Sequence, residues 1–298
     1  MSLESERVRG GLIFAVSGFS IWGTAPIYWR ALSHLGPAEV MAHRIVGTAI
    51  IAAIVLVFRK RIGTLIATLR THPNVRRDLL ISTLLIGANW VCFVWAIMNG
   101  HTLESSLGYY LAPLVMAWIG AILLREPITP AQFIALGCAA AGIAALLIGL
   151  RMLPWISVVL AVTWSLYGYV RKRVAIEAME GLFVETLLWL PACLGVLFFI
   201  PTRATGAQDW MLLLFAGPYT LLPLWFYTEG ARRLRFTTLG FLQYLAPTLQ
   251  ALVATFVFHE KVTPSHIIAF AAIWFGIAIY SFDSIARERR RAAQAGPA

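Results

Sequence analysis

Apolar residues run along this chain in blocks of about twenty, the length a helix needs to cross a bilayer core, and polar residues gather in the gaps between them. Ten such blocks can be read, near 11–30, 38–58, 79–98, 106–124, 131–149, 153–170, 182–200, 209–228, 237–258 and 265–283. No stretch shows the two-residue alternation of a half-buried strand, so the pattern predicts an all-α integral membrane protein of ten transmembrane helices. Most gaps are under ten residues, which makes successive helices antiparallel neighbours; the longest, 59–78, carries six Lys or Arg. The first block ends in IYWRAL with no small-residue cleavage site and reads as a retained span.

Composition and charge sharpen this picture. Of the 298 residues, 59% are hydrophobic and 13% charged, against roughly 25% charged in soluble domains. The formal charge of +10 would suit nucleic acid, but the Lys and Arg sit at block ends and form no stripe. With the N-terminus in the cytoplasm, nineteen Lys and Arg fall on the inner side. Arg30, Arg151, Arg203 and Lys261 fall on the outer side, and Arg44 lies within a span. The positive-inside bias therefore predicts that both termini are cytoplasmic. Cys92, Cys138 and Cys193 lie in apolar blocks and form no CxxC pair, so they read as small apolar fillers.

The chain is also written twice. YLAP occurs at 110–113 and 244–247, followed after the same spacing by EPITP at 126–130 and EKVTP at 260–264. WAIMNG at 95–100 corresponds to WFYTEG at 225–230, and Trp22 stands opposite Trp164. Five helices per copy is an odd number, so the second copy must cross in the opposite sense. The connections agree: 99–106 has no Lys or Arg, whereas 229–238 carries Arg232, Arg233 and Arg235. The expectation is two inverted five-helix repeats, 1–150 and 151–298, with solute bound near the midplane between them.

Within this frame, certain residues stand out as chemistry. Pro113 and Pro247 are placed roughly 12–15 Å into their helices. There each would free the carbonyl four residues earlier, Tyr109 or Gln243. With Pro26 on the first helix they are the candidate helix-breaking or gating positions. Thr129-Pro130 and Thr263-Pro264 read as N-cap and first-turn proline of the fifth helix of each half, with Glu126 and Glu260 favouring that helix dipole. On the second helix, Glu39 and His43 share a face and Arg44 lies about 9 Å inside the outer boundary. A buried Arg is a functional hypothesis by default, against snorkelling or pairing with Glu39. The repeat places Glu180 opposite Glu39 and Glu185 opposite Arg44. A cation in one half and an acid in the other would suit a zwitterionic or amphiphilic solute, or a proton-linked cycle through Glu39 and Glu185.

The remaining candidates are deep aromatic and amide residues. Trp22, Trp90, Trp95, Tyr110, Trp164, Tyr167 and Tyr244 are cavity candidates, with Asn89 and Gln243 as polar partners; lone amides such as Gln250 more often bond between helices. Trp29, Trp155 and Trp210 read as interfacial belt anchors. Gly137, Ala141 and Ala145 repeat every four residues and form a seam for close packing between helices or between two protomers, hence a candidate homodimer face.

Several of these passages carry a family likeness. WGTAPIYWR (22–30), EVMAHR (39–44), NWVCFVWAIMNGHTLESSLGYYLAP (89–113), LRFTTLGFLQYLAP (234–247) and AAIWFGIAIYSFD (271–283) span all ten helices. By them the chain resembles the RarD branch of the EamA-type drug/metabolite transporter superfamily. The resemblance implies a ten-helix permease of the bacterial inner membrane, associated with chloramphenicol sensitivity or with export of amino acids and other metabolites.

The residues themselves leave three classes open: a secondary transporter working by alternating access, a lipid flippase or scaffold, and an integral membrane enzyme. The third would need a nucleophile–base pair or metal cluster, and the six histidines show no ligand spacing such as HExxH. No Walker motif is present. The expectation is a non-enzymatic permease without cofactor, metal or nucleic-acid partner, acting on a small molecule in a lipid bilayer.

Overall fold

Prolines mark where many of the helices begin. Pro37, Pro73, Pro130 and Pro264 each occupy the first helical position, where the missing N–H has no intrahelical acceptor to lose. Ahead of Pro37 stands Gly36 at φ 90°, a left-handed turn that a side chain would strain. The eighth helix starts on acids instead: the Glu180 carboxylate accepts the Glu177 N–H at 3.0 Å, half of a capping box.

The computed structural model describes residues 3–123, 129–150, 154–174, 176–231, 233 and 242–294, and among these every regular element is helical. The helices are α1 (Leu3–Ala31), α2 (Pro37–Phe58), α3 (Ile62–Thr71), α4 (Pro73–Met98), α5 (Thr102–Leu123) and α6 (Pro130–Leu150). Then follow α7 (Trp155–Arg173), α8 (Ala178–Phe199), α9 (Ala207–Ala231), α10 (Leu245–Leu252) and α11 (Pro264–Gln294). Among the described residues, five stretches are long and apolar enough to cross a membrane: Val8–Ala31, Pro37–Phe58, Pro73–Met98, Ala178–Phe199 and Ala207–Tyr227. Phe133–Gly149, Leu245–Val257 and Pro264–Ile279 are shorter apolar helices.

Two features depart from the expected spans. The basic connection 59–78 contains a helix of its own, α3, whose Leu65 is buried with Leu56 and Leu79. The second departure is in the ninth span, which is not one helix. Gln243 and Tyr244 form a turn, α10 starts at Leu245, and its end widens into a π turn, Val253–Val257. Pro247 therefore sits in a first turn, where its missing N–H is harmless, rather than deep in a helix. The helix α5 runs through position 113 unbroken. The side chain of Pro113, all of Glu126, and residues 234–241 lie outside the described residues.

The surface is apolar and the interior holds the polar groups. Ile148, Phe198, Phe199 and Leu214 are 74–82% exposed. Thr48, Ser82, Asn89, Ser157, Ser165 and Glu185 are fully buried. Lipid is the solvent that suits such an exterior, and hydrogen bonds satisfy the interior. Pro26 shows how: it frees the Trp22 carbonyl of α1, and Gln250 of α10 donates its amide to that oxygen at 3.3 Å.

Helices α6 and α11 pack through a stripe of Ala135, Cys138 and Gly142 against Ala269, Ile273 and Gly276. Gly137 and Ala141 of the expected seam are exposed on another side of α6, so the seam within the chain uses different residues. Two further contacts set the interhelical spacing near the centre. The backbones of Gly47 on α2 and Gly217 on α9 nearly touch, and a Cβ on Gly217 would lie 2.4 Å from the Gly47 carbonyl carbon. Between α4 and α8, the indole of Trp189 fills the space beside Gly87 and donates to the Thr83 carbonyl at 3.0 Å.

Candidate functional site

Arg44 projects from α2 into the interior, among side chains of α1, α4 and α9. Its residue exposure is only 7%. The guanidinium lies 4.5 Å from the Trp90 ring and 5.0 Å from the Trp29 ring, a cation held between two indoles. Nε donates to Thr220 Oγ1 at 3.0 Å, and among the described residues Nη1 meets the soft Met41 sulfur at 4.0 Å. Among the described residues no carboxylate forms an ion pair with Arg44. Glu39, one turn earlier, turns away from it: its carboxylate accepts from the Thr202 hydroxyl and, at 3.2 Å, from the Arg203 N–H. The expected Glu39–Arg44 pair is therefore not formed. Tyr28 stacks on Tyr219 at 4.3 Å and, with Tyr109, lies within electrostatic reach of the guanidinium.

Glu185 on α8 has the opposite setting. It is fully buried, and its carboxylate accepts from Ser82 Oγ at 2.6 Å and Tyr167 OH at 3.2 Å. Arg171 Nε stands 3.8 Å away, a long ion pair. A buried carboxylate needs such donors to remain in a low-dielectric interior. Its charge is thus answered from within the protein.

Aromatic rings bridge the two places. Tyr109 of α5 donates to Asn89 Oδ1 at 3.0 Å, and Asn89 donates to the Leu160 carbonyl and Thr163 Oγ1. The Tyr109 ring meets Trp164 edge-on at 6.1 Å, Trp164 lies 5.9 Å from Tyr167, and Tyr167 bonds Glu185. Six of the sequence candidates, Arg44, Asn89, Trp90, Trp164, Tyr167 and Glu185, therefore belong to one connected interior.

The others lie apart. His43 Nδ1 donates to the Glu39 carbonyl and the ring faces Trp210 at 5.8 Å, and Trp95 stacks on His101 at 5.6 Å beside Trp155. Trp22 packs with Phe19 and Tyr227. Tyr110 stacks on Tyr244 at 6.3 Å and shares a hydrogen bond with Thr248, so the two YLAP copies face each other away from Arg44. Gln243 lies half-buried in the turn before α10. Glu260 does not serve the helix that follows it: its two carboxylate oxygens accept the Thr102 and Leu103 N–H groups at the start of α5, and Arg30 stands 3.8 Å from it.

Sequence reasoning missed Trp29, Thr220, Tyr109, Ser82 and Arg171. Trp29 was expected in the interfacial belt, yet it is 2% exposed over Arg44. A signal for Thr220 existed: it stands 130 residues after Trp90, the offset that relates WAIMNG to WFYTEG, and both touch Arg44.

Such an arrangement, apolar outside and polar within, defines a membrane protein. The sequence matches the EamA-like transporter family over residues 9–148 and again over 152–282. It is 41% identical over 300 residues to an uncharacterized transporter of Pseudomonas aeruginosa, covering 99% of this chain and 100% of that one. It is 36% identical over 294 residues to Protein RarD of Escherichia coli, covering 97% and 99%. To the chloramphenicol-sensitive protein RarD of Pseudomonas aeruginosa it is 30% identical, covering 97% and 99%. A solved crystal structure 19% identical in sequence shares the fold with a TM-score of 0.60, covering 90% of this chain and 96% of that one. The chain belongs to the EamA-like transporter family and, within the drug/metabolite transporter superfamily, is of the RarD type. It is a multi-pass membrane transporter.

Proposed function

We propose that the protein is a secondary-active permease of the bacterial inner membrane that exports small metabolites or drugs by alternating access. Its ten spans, in this reading, form two inverted five-helix halves, 1–150 and 151–298, with both termini in the cytoplasm. Solute crosses between them, past Arg44 and the aromatic bridge to Glu185. A gradient supplies the energy.

The observation that carries this reading is the pattern of helix partners. Exchanging each span for its counterpart turns α1 on α9 into α7 on α4, α1 on α10 into α7 on α5, and α2 on α9 into α8 on α4. It leaves α2 on α8 and α6 on α11 unchanged. An internal two-fold of this kind lets the halves rock about a central site, which is the geometry alternating access requires. The carboxylate clasps obey the same exchange. Glu39 holds the loop after α8 through Thr202 and Arg203, and Glu180 holds the loop after α2 through Arg61 at 3.0 Å. Each clasp must release when its side opens.

The test is flux in proteoliposomes. Reconstituted protein is expected to move at least one labelled small solute, chloramphenicol, tryptophan or an aromatic acid, saturably and above the protein-free rate. Movement of fluorescent lipid analogues alone would replace the permease with a flippase.

A further inference from the structure

We infer that the Arg44 site binds the carboxylate of a small monoanionic acid with a flat, aromatic or apolar body. This deepens the permease reading and rests on it for the site's role in transport.

The argument begins with which donors of Arg44 are committed. Trp90 and Trp29 cover the guanidinium, and Nε is spent on Thr220. Among the described residues, the edge bearing Nη1 and Nη2 meets only a thioether sulfur, at 4.0 Å. That edge is the fork that matches a carboxylate with two parallel N–H···O bonds. Phosphate has the same edge chemistry, but one cation in a low-dielectric interior balances one negative charge, and a dianion would carry its excess inward. Among the described residues no Asp or Glu answers Arg44, so the balancing anion comes with the solute.

The rest of the site sets the body of that solute. Tyr28, Tyr109, Trp90 and Trp164 offer flat walls, and Thr220 and Asn89 offer few further polar groups. An ammonium group has no place here, because the buried carboxylate that would receive it, Glu185, already takes Ser82, Tyr167 and Arg171. The class is therefore an aromatic or apolar acid rather than a zwitterion held at both poles.

Position supports this reading. Trp90 and Thr220 are repeat counterparts, so a group touching both stands close to the axis relating the halves. A solute bound there meets both halves at once and can be passed between them.

The experiment is thermal melting of the purified full chain in detergent with benzoate and hippurate, each beside its neutral amide, benzamide and hippuramide. The acids are expected to raise the melting temperature in proportion to log concentration above Kd, and the amides are not. Arg44→Gln should weaken the acids by about tenfold or more, and Arg44→Lys, which keeps the charge without the fork, should restore only part. Should Arg44→Gln fail to fold, the contrast of acid and amide on the native chain decides alone. Amides as effective as acids, an undiminished acid effect in Arg44→Gln, or no effect of either acid overturns the inference. Flux of chloramphenicol or tryptophan without acid binding removes the acid class and leaves the permease. Acid binding without flux of any solute leaves the site and removes the permease.

Discussion

Arg44 and Glu185 occupy counterpart positions on α2 and α8, and the two places differ in one decisive respect. Around Glu185 the protein has completed the chemistry: a hydroxyl, a phenol and a guanidinium answer one carboxylate. Around Arg44 it has supplied rings and one hydroxyl, and among the described residues no carboxylate stands opposite the charge. The same frame thus holds one carboxylate answered by three donors, with Arg171 Nη1 left unpaired beside it, and one cation without a carboxylate. The helix spacing differs in parallel, since α2 and α9 touch through Gly47 and Gly217 while Trp189 wedges between α8 and α4.

The largest effect should come from breaking the Glu185 network. Glu185→Ala leaves Arg171 buried without its partner and should destabilise the protein by about 3–5 kcal/mol. Arg44→Met removes a cation that has no carboxylate partner among the described residues, so the unliganded protein should stay within about 1 kcal/mol of native or gain stability. Denaturation of both variants in mixed micelles checks the contrast. Equal losses would erase it.

Next in size is the helix contact. Gly217→Ala puts a methyl 2.4 Å from the Gly47 backbone, which cannot yield without parting α2 and α9, and should cost about 1–3 kcal/mol. Gly87→Ala meets first the Trp189 ring, a side chain rather than backbone, so its loss should be the smaller one. The melting temperatures of the two variants give the order.

Smaller effects sharpen the Arg44 side. Trp90→Leu removes one face of the cation sandwich and should weaken acid binding by about 1–2 kcal/mol, read as a rise in hippurate Kd with unchanged fold. Thr220→Val removes the acceptor that aims Nε and should raise that Kd by only a few-fold, about 0.5–1.5 kcal/mol. A larger effect from Thr220 than from Trp90 would mean that aim, not charge stabilisation, governs the site.

Much of the frame was legible because it is written in block lengths, prolines and charge placement. The first-turn prolines of α6 and α11 and the burial of Arg44 followed from local sequence. What stayed hidden was orientation about helix axes. Trp29 has the composition of a belt residue, and only the rotation of α1 turns it over Arg44. Glu260 sits beside one helix in sequence and caps another in space, because the chain returns to α5 after the π turn. Pro247 matched Pro113 by spacing, yet the turn at Gln243 and Tyr244 moved it into a first turn, a break no apolar pattern records. Arg171 looked like one of three basic residues at a helix end, and its reach to Glu185 depends on the packing of α7 against α8's neighbours.

The central claim, a solute path that runs past Arg44, meets its most direct test in hippurate flux. Labelled hippurate is loaded into proteoliposomes at neutral pH, and its exit is followed with native protein and with folded Arg44→Gln. The account predicts saturable exit for the native chain and exit near the protein-free rate for Arg44→Gln. Equal exit from both would contradict it.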